Sequence, residues 1–164
     1  MLARGRSRET AIRRDRFGRW FDGDVPITHP GLVERFDGWI DRAPDGRYCL
    51  SNEVNWAFVS LEGPPYRVRS VTLGEPLMLE LSGGRREALD PRTLRLGEDD
   101  SLWCDVRQGR VPARFDNHAL LQLGDLIGED EEGTFLRLGG QIVRPSRVPD
   151  PQAGWNPSKG HVEA

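Results

Sequence analysis

The run Ser101-Leu102-Trp103-Cys104-Asp105-Val106-Arg107 holds three side chains of the kind that recognise an anionic, ring-bearing ligand. An indole stacks on a ring, a carboxylate accepts from a ring N–H or a ribose hydroxyl, and a guanidinium grips phosphate at two points. Trp103, Asp105 and Arg107 are two residues apart, the period that puts alternate side chains on one face of a strand. Trp20 and Asp22 repeat the first two members without the arginine, and Trp56 would join them if the two parts of the chain face one another. These six are the candidate ligand-binding residues. The structural alternative is a core Trp beside an Asp–Arg pair that bridges a hairpin.

Other chemistries find less material. The chain has no nucleophile elbow, Walker loop, dinucleotide fingerprint or zinc-helix motif. His29, His118 and His161 stand alone, without Cys or carboxylate partners at ligand spacing, so no metal site and no cofactor are expected. An enzyme would need Asp22, Asp105 and His118 to converge; a binding module ranks above it, and no catalytic residue is nominated. Gly83-Gly84-Arg85-Arg86-Glu87 suits either a phosphate cradle or a hairpin tip with solvated arginines. Gly128 to Gly133, GEDEEG, lacks calcium-loop spacing and reads as a solvated turn. Cys49 and Cys104 each sit in an apolar run, as buried free thiols do.

Charge narrows the partners. Lys and Arg number 23 against 26 Asp and Glu, a net charge of −3, which opposes a general nucleic-acid binder. Lys159 is the single lysine, so the basic charge is almost all guanidinium. No apolar run approaches the roughly twenty residues that span a bilayer, and the N-terminal arginines are not followed by an apolar signal core. A cytoplasmic, bacterial protein without a membrane span is the expectation.

The elements that would position these residues follow from periodicity. Residues 1 to 15, with five arginines and little apolar material, read as a mobile arm; residues 149 to 164 read as a flexible tail carrying Trp155. Phe17 to Phe21 and Asp24 to Ile27 suggest a hairpin about Gly23. A helix follows, capped by Thr28, with Pro30 in its first turn and Leu32, Val33, Phe36, Trp39 and Ile40 on one face until Pro44. Strands are expected over 47–50 and 54–61, then an antiparallel meander from Tyr66 to Leu96. A second hairpin, 101–107 with 110–114, leads to a helix capped by Asp116 or Asn117, whose apolar face Leu120, Leu121, Leu123, Leu126 and Ile127 runs to Gly128. A last hairpin pairs 134–138 with 141–143.

The order repeats. Val25-Pro26, Gly46 and Tyr48 recur as Val111-Pro112, Gly133 and Phe135 at offsets of 86 or 87 residues, while Trp20 and Asp22 recur as Trp103 and Asp105 at 83. A duplicated hairpin–helix–strand unit is the expectation, residues 16–66 forming the first and 67–148 the β-rich second, with a groove between them. The fold class is α+β.

The run GRWFDGDVPITHPGLVERF, with DGRYCL, VSLEGPPY, LRL at 94 to 96 and WCDVR at 103 to 107, resembles the bacterial domain-of-unknown-function family 1285 over roughly residues 15 to 127. The resemblance implies two related α+β halves, the C-terminal one like pleckstrin-homology folds. It also implies a nucleotide-like ligand at their interface and a link to signal transduction. Val106 and Arg107 match the family pattern. Glu53 to Trp56, Arg92-Thr93 and Arg110 to Pro112 depart from it at polar positions, so the fold carries over further than the ligand. A sensor or adaptor for a small anionic or nucleotide-like ligand is therefore expected, with a protein-interaction module as its alternative.

Overall fold

A computed structural model describes residues 8–153. The N-terminal unit begins with β1 (Ile12–Arg14), antiparallel to β2 (Trp20–Asp22), which is antiparallel to β3 (Val25–Ile27). Helix α1 (Pro30–Gly38) starts where His29 accepts the Leu32 N–H and Pro30 enters the first turn with its φ already set; the cap is His29, not Thr28. Then β4 (Ile40–Arg42), β5 (Tyr48–Ser51) and β6 (Trp56–Phe58) form an antiparallel meander, and β7 (Ser60–Leu61) returns to lie parallel to β1. The resulting sheet has the order β3-β2-β1-β7.

A second meander follows in β8 (Tyr66–Thr72), β9 (Met78–Leu81) and β10 (Arg86–Ala88), the last two joined by a tight turn at Ser82–Gly84 in which Gly83 and Gly84 take left-handed φ of 77° and 75°. The C-terminal unit then runs β11 (Arg95–Leu96), β12 (Leu102–Val106), β13 (Val111–Phe115), α2 (Asn117–Gln122), β14 (Ile127–Asp130), β15 (Gly133–Leu138), β16 (Gln141–Val143) and β17 (Ser146–Arg147). Its strands β13-β12-β11-β17, with β11 and β17 parallel, have the order and senses of β3-β2-β1-β7, and β14-β15-β16 form a meander like β4-β5-β6. Strand β8 lies parallel to β13, which extends the sheet to seven strands, β10-β9-β8-β13-β12-β11-β17. The class is α+β. Among the described residues no helix is long and apolar enough to cross a membrane.

Both helices stop earlier than their apolar periodicity suggests. Trp39 closes α1 and Ile40 opens β4, paired with Leu50; Ile127 likewise opens β14, paired with Leu136. An apolar residue just past a helix keeps its burial by entering a strand, so the hydrophobic pattern continues while the backbone changes. Gly38, the last residue of α1, has no room for a side chain. Its backbone lies so close to Gly83 that an added Cβ would sit 2.5 Å from the Gly83 carbonyl oxygen.

One hydrophobic cluster runs through both units, from Trp20 and Ile40 through Tyr66, Val68 and Leu79 to Cys104, Val111 and Leu136. The described part of the expected arm belongs to the body. Ile12–Arg14 is a strand, the Arg8 carbonyl accepts from Phe58 N–H, and Arg14 is buried. Arginine tolerates this because Asp37 and the Pro64 and Pro65 carbonyls take its donors. The expected tail is also docked near its start: Gln152 donates to the Gly63 carbonyl, and just before the tail Val148 N–H reaches the Leu96 carbonyl. Trp155 and residues 1 to 7 lie outside the described residues.

Candidate functional site

The proposed triad on β12 does not act as one face. Trp103 is buried, its indole N–H donating to Ser101 Oγ at 2.8 Å. Asp105 accepts from Arg95 Nη2 at 2.8 Å, a pair that is about seven-eighths shielded from water on both sides. Arg107 lies beyond the strand. It and Gln108 take left-handed φ of 54° and 59° before Gly109 at 83°, the backbone that a tight turn between twisted strands favours. That conformation turns the Arg107 side chain away from Trp103 and Asp105.

Trp20 is likewise buried, edge-on to Phe36 at 5.4 Å, with its N–H on Asp37 Oδ1 at 2.9 Å. Asp22 is exposed at the end of β2. Trp56 is half-buried under the Arg8 guanidinium, 4.1 Å from its ring, and meets Phe58 edge-on. Trp20 and Trp103 each lie opposite a buried arginine, Arg14 and Arg95, and each arginine donates to a proline carbonyl, Pro64 and Pro151. Their indole partners differ.

Arg107 instead crosses to the N-terminal unit. Its Nη2 reaches Asp41 Oδ2 at 3.1 Å and its Nη1 the Ile40 carbonyl at 3.0 Å, while Arg110 closes on both Asp41 oxygens. The Tyr66 hydroxyl lies 2.7 Å from the Ile40 carbonyl and also meets Arg107. Burial raises the phenol to about 12, against the pull of Arg107, so it stays a neutral donor near pH 7. Arg85 Nη1 donates to the Gly38 carbonyl and meets no carboxylate at ion-pair distance among the described residues.

These two arginines, with Trp39, Ser51, Asn52, Glu53 and Val54, line an open groove of about 650 Å³ where the two units meet. A second, more apolar groove of about 290 Å³ shares Trp39 and Asn52 with it and runs past Phe36, Leu50 and Trp56. Of the six sequence candidates, Arg107 and Trp56 therefore reach these grooves, and Trp20 and Trp103 are core. Trp39 escaped notice because it fits the apolar face of α1. Arg85 left a signal in the Gly-Gly-Arg-Arg run, which is the tip of the β9–β10 hairpin as one of its two readings expected: Arg86 is exposed beside Glu80, but Gly83 packs on Gly38 and Arg85 turns inward.

The remaining candidates are structural or solvated. His29 caps α1, and His118 is exposed on α2. Among the described residues no group of His, Cys, Asp or Glu has the geometry of a metal site. Cys49 and Cys104 are free and buried; burial pushes the Cys49 thiol up to about 11 and Cys104 higher still, so both stay protonated near neutrality.

The fold is similar to that of two solved proteins. A DUF1285 family protein from Silicibacter pomeroyi superposes with a TM-score of 0.64 at 19% identity, over 85% of this chain and 81% of that one. A DUF1285 family protein from Shewanella baltica superposes with a TM-score of 0.56 at 16% identity, over 73% of this chain and 94% of that one. No family model matches the sequence, and no curated protein matches it.

Proposed function

We propose that this chain is a divergent member of the DUF1285 family and binds a small anionic, ring-bearing ligand, such as a nucleotide, in the groove between its two units. The observation that carries this reading is that Arg85, Arg107 and Trp39 all line one groove, which shares Trp39 and Asn52 with the apolar groove at Trp56. Guanidinium donors would take the anion and indole faces the ring. In this reading the units descend from a tandem duplication, supported by their common strand order, and the C-terminal unit is pleckstrin-homology-like. The protein then works in the bacterial cytoplasm as a sensor or adaptor in signal transduction.

The alternative is a protein-interaction module docking a partner on the meander edge. It draws less support, because β10 places Arg86 and Glu87 on that edge, and charges there oppose strand addition. A thermal-shift series with nucleotides and their nucleosides separates the readings. Nucleotides should raise the Tm of the wild type, and Arg85→Ala should lose about tenfold in affinity while keeping its unliganded Tm within a few degrees. No stabilisation of the wild type by any nucleotide would remove the ligand reading.

A further inference from the structure

A smaller cavity, of about 160 Å³, is lined by Arg14 and Arg16 of the N-terminal unit and by Arg67 and Arg69 of β8. Arg67 and Arg69 alternate on β8, and each donates through Nη1 to one oxygen of Asp116. Asp116 is the N-cap residue of α2, yet its side chain makes no cap bond, because the two arginines occupy it. A carboxylate shared in this way holds both guanidiniums side by side. Their Nε and Nη2 groups meet no acceptor among the described residues.

Ser82 sharpens the site. It is 8% exposed, and its Oγ accepts the Arg67 backbone N–H at 3.0 Å. Its own proton meets no acceptor among the described residues, although a buried hydroxyl ordinarily finds one. Arg16, stacked 4.8 Å from the Phe17 ring, adds a further guanidinium at the rim.

The carboxylates of the lining are already engaged. Asp37 takes Arg14 and the Trp20 indole, Asp15 takes Arg19 and two backbone N–H groups, and Glu62 takes the Arg16 N–H. The donors left over point to one chemistry, a compact oxyanion with several acceptor oxygens.

We infer that Arg67, Arg69 and Ser82 form a binding site for the phosphoryl group of a small soluble phosphate monoester. A planar carboxylate offers two oxygens, whereas a phosphoryl group offers three and can meet both guanidiniums and the hydroxyl together. The site is separate from the groove at Arg107 and stands whether or not that groove is filled.

The test is an amide NMR titration of the full chain with inorganic phosphate, and then methyl phosphate, against chloride at constant ionic strength. Saturable shifts are expected at Arg67, Arg69 and Ser82, with affinity about tenfold weaker in Arg69→Ala and unchanged in Arg85→Ala. Should Arg69→Ala lose its native spectrum, Ser82→Ala removes the hydroxyl donor alone and should weaken binding several-fold. Absence of saturation, equal affinity in the folded variants, or shifts spread over all surface arginines would overturn the assignment. Binding only to phosphatidic-acid vesicles, with no response to methyl phosphate, would overturn it too, because the headgroup and not a soluble ester would then be the ligand.

Discussion

Asp41 receives Arg107 and Arg110 at once, and all the atoms involved lie where the two units touch. Its side chain is 14% exposed and that of Arg107 13%, so water does little to screen the pair. Removing one member of a shielded pair leaves the other charge uncompensated, which generally costs more than the pair gained by forming. Asp41→Ala should therefore lower unfolding stability by about 3 kcal/mol in urea denaturation. A loss below roughly 1 kcal/mol would mean that the cluster behaves like an exposed surface pair. Little of this was legible in the sequence. Asp41 falls inside the run expected to be helical, and Arg107 reads as the third member of a strand face until its left-handed turn is seen.

Among the elements, the most consequential contact is between the end of α1 and the glycine turn before β10. Gly38 and Gly83 let two backbones touch, and the Tyr66 hydroxyl and Arg85 both gather at the Gly38 carbonyl. Gly38→Ala should lower the Tm, by an amount corresponding to roughly 1–3 kcal/mol, since the methyl meets fixed backbone and not a flexible side chain. An unchanged Tm would show that the two elements can slide apart freely. Sequence periodicity found the hairpins at 20–27, 102–115 and 133–143, because each is written locally by strand alternation around a glycine turn. It overran both helices, since Trp39, Ile40 and Ile127 satisfy a helical face and a buried strand equally well.

At the scale of the molecule, the two units share a strand order and a single core. Residues of the first, Trp20, Ile40 and Leu50, pack in the same cluster as Val106, Val111 and Ala113 of the second. Burial of this kind couples the units, and a cooperative all-or-none transition is the expected consequence. Urea unfolding followed by tryptophan fluorescence and by far-UV circular dichroism should give coincident midpoints; separate transitions would mean that each unit holds its own fold. The groove at Arg107 lies where the two units meet, and the smaller cavity lies between the N-terminal unit and β8, so a core that ties these parts together also fixes the walls of both.

The sequence by itself determined the α+β class, the positions of most strands and the burial of both cysteines. These are properties of local spacing and hydrophobicity, which each segment carries without reference to its neighbours. Tertiary structure alone decided that Trp20 and Trp103 are core, that Arg14 is buried while Arg107 spans the seam, and that Arg67, Arg69 and Ser82 converge. A guanidinium can lie in solvent, in an ion pair or against a carbonyl with the same flanking residues, and only the partner that folding brings opposite it chooses among them.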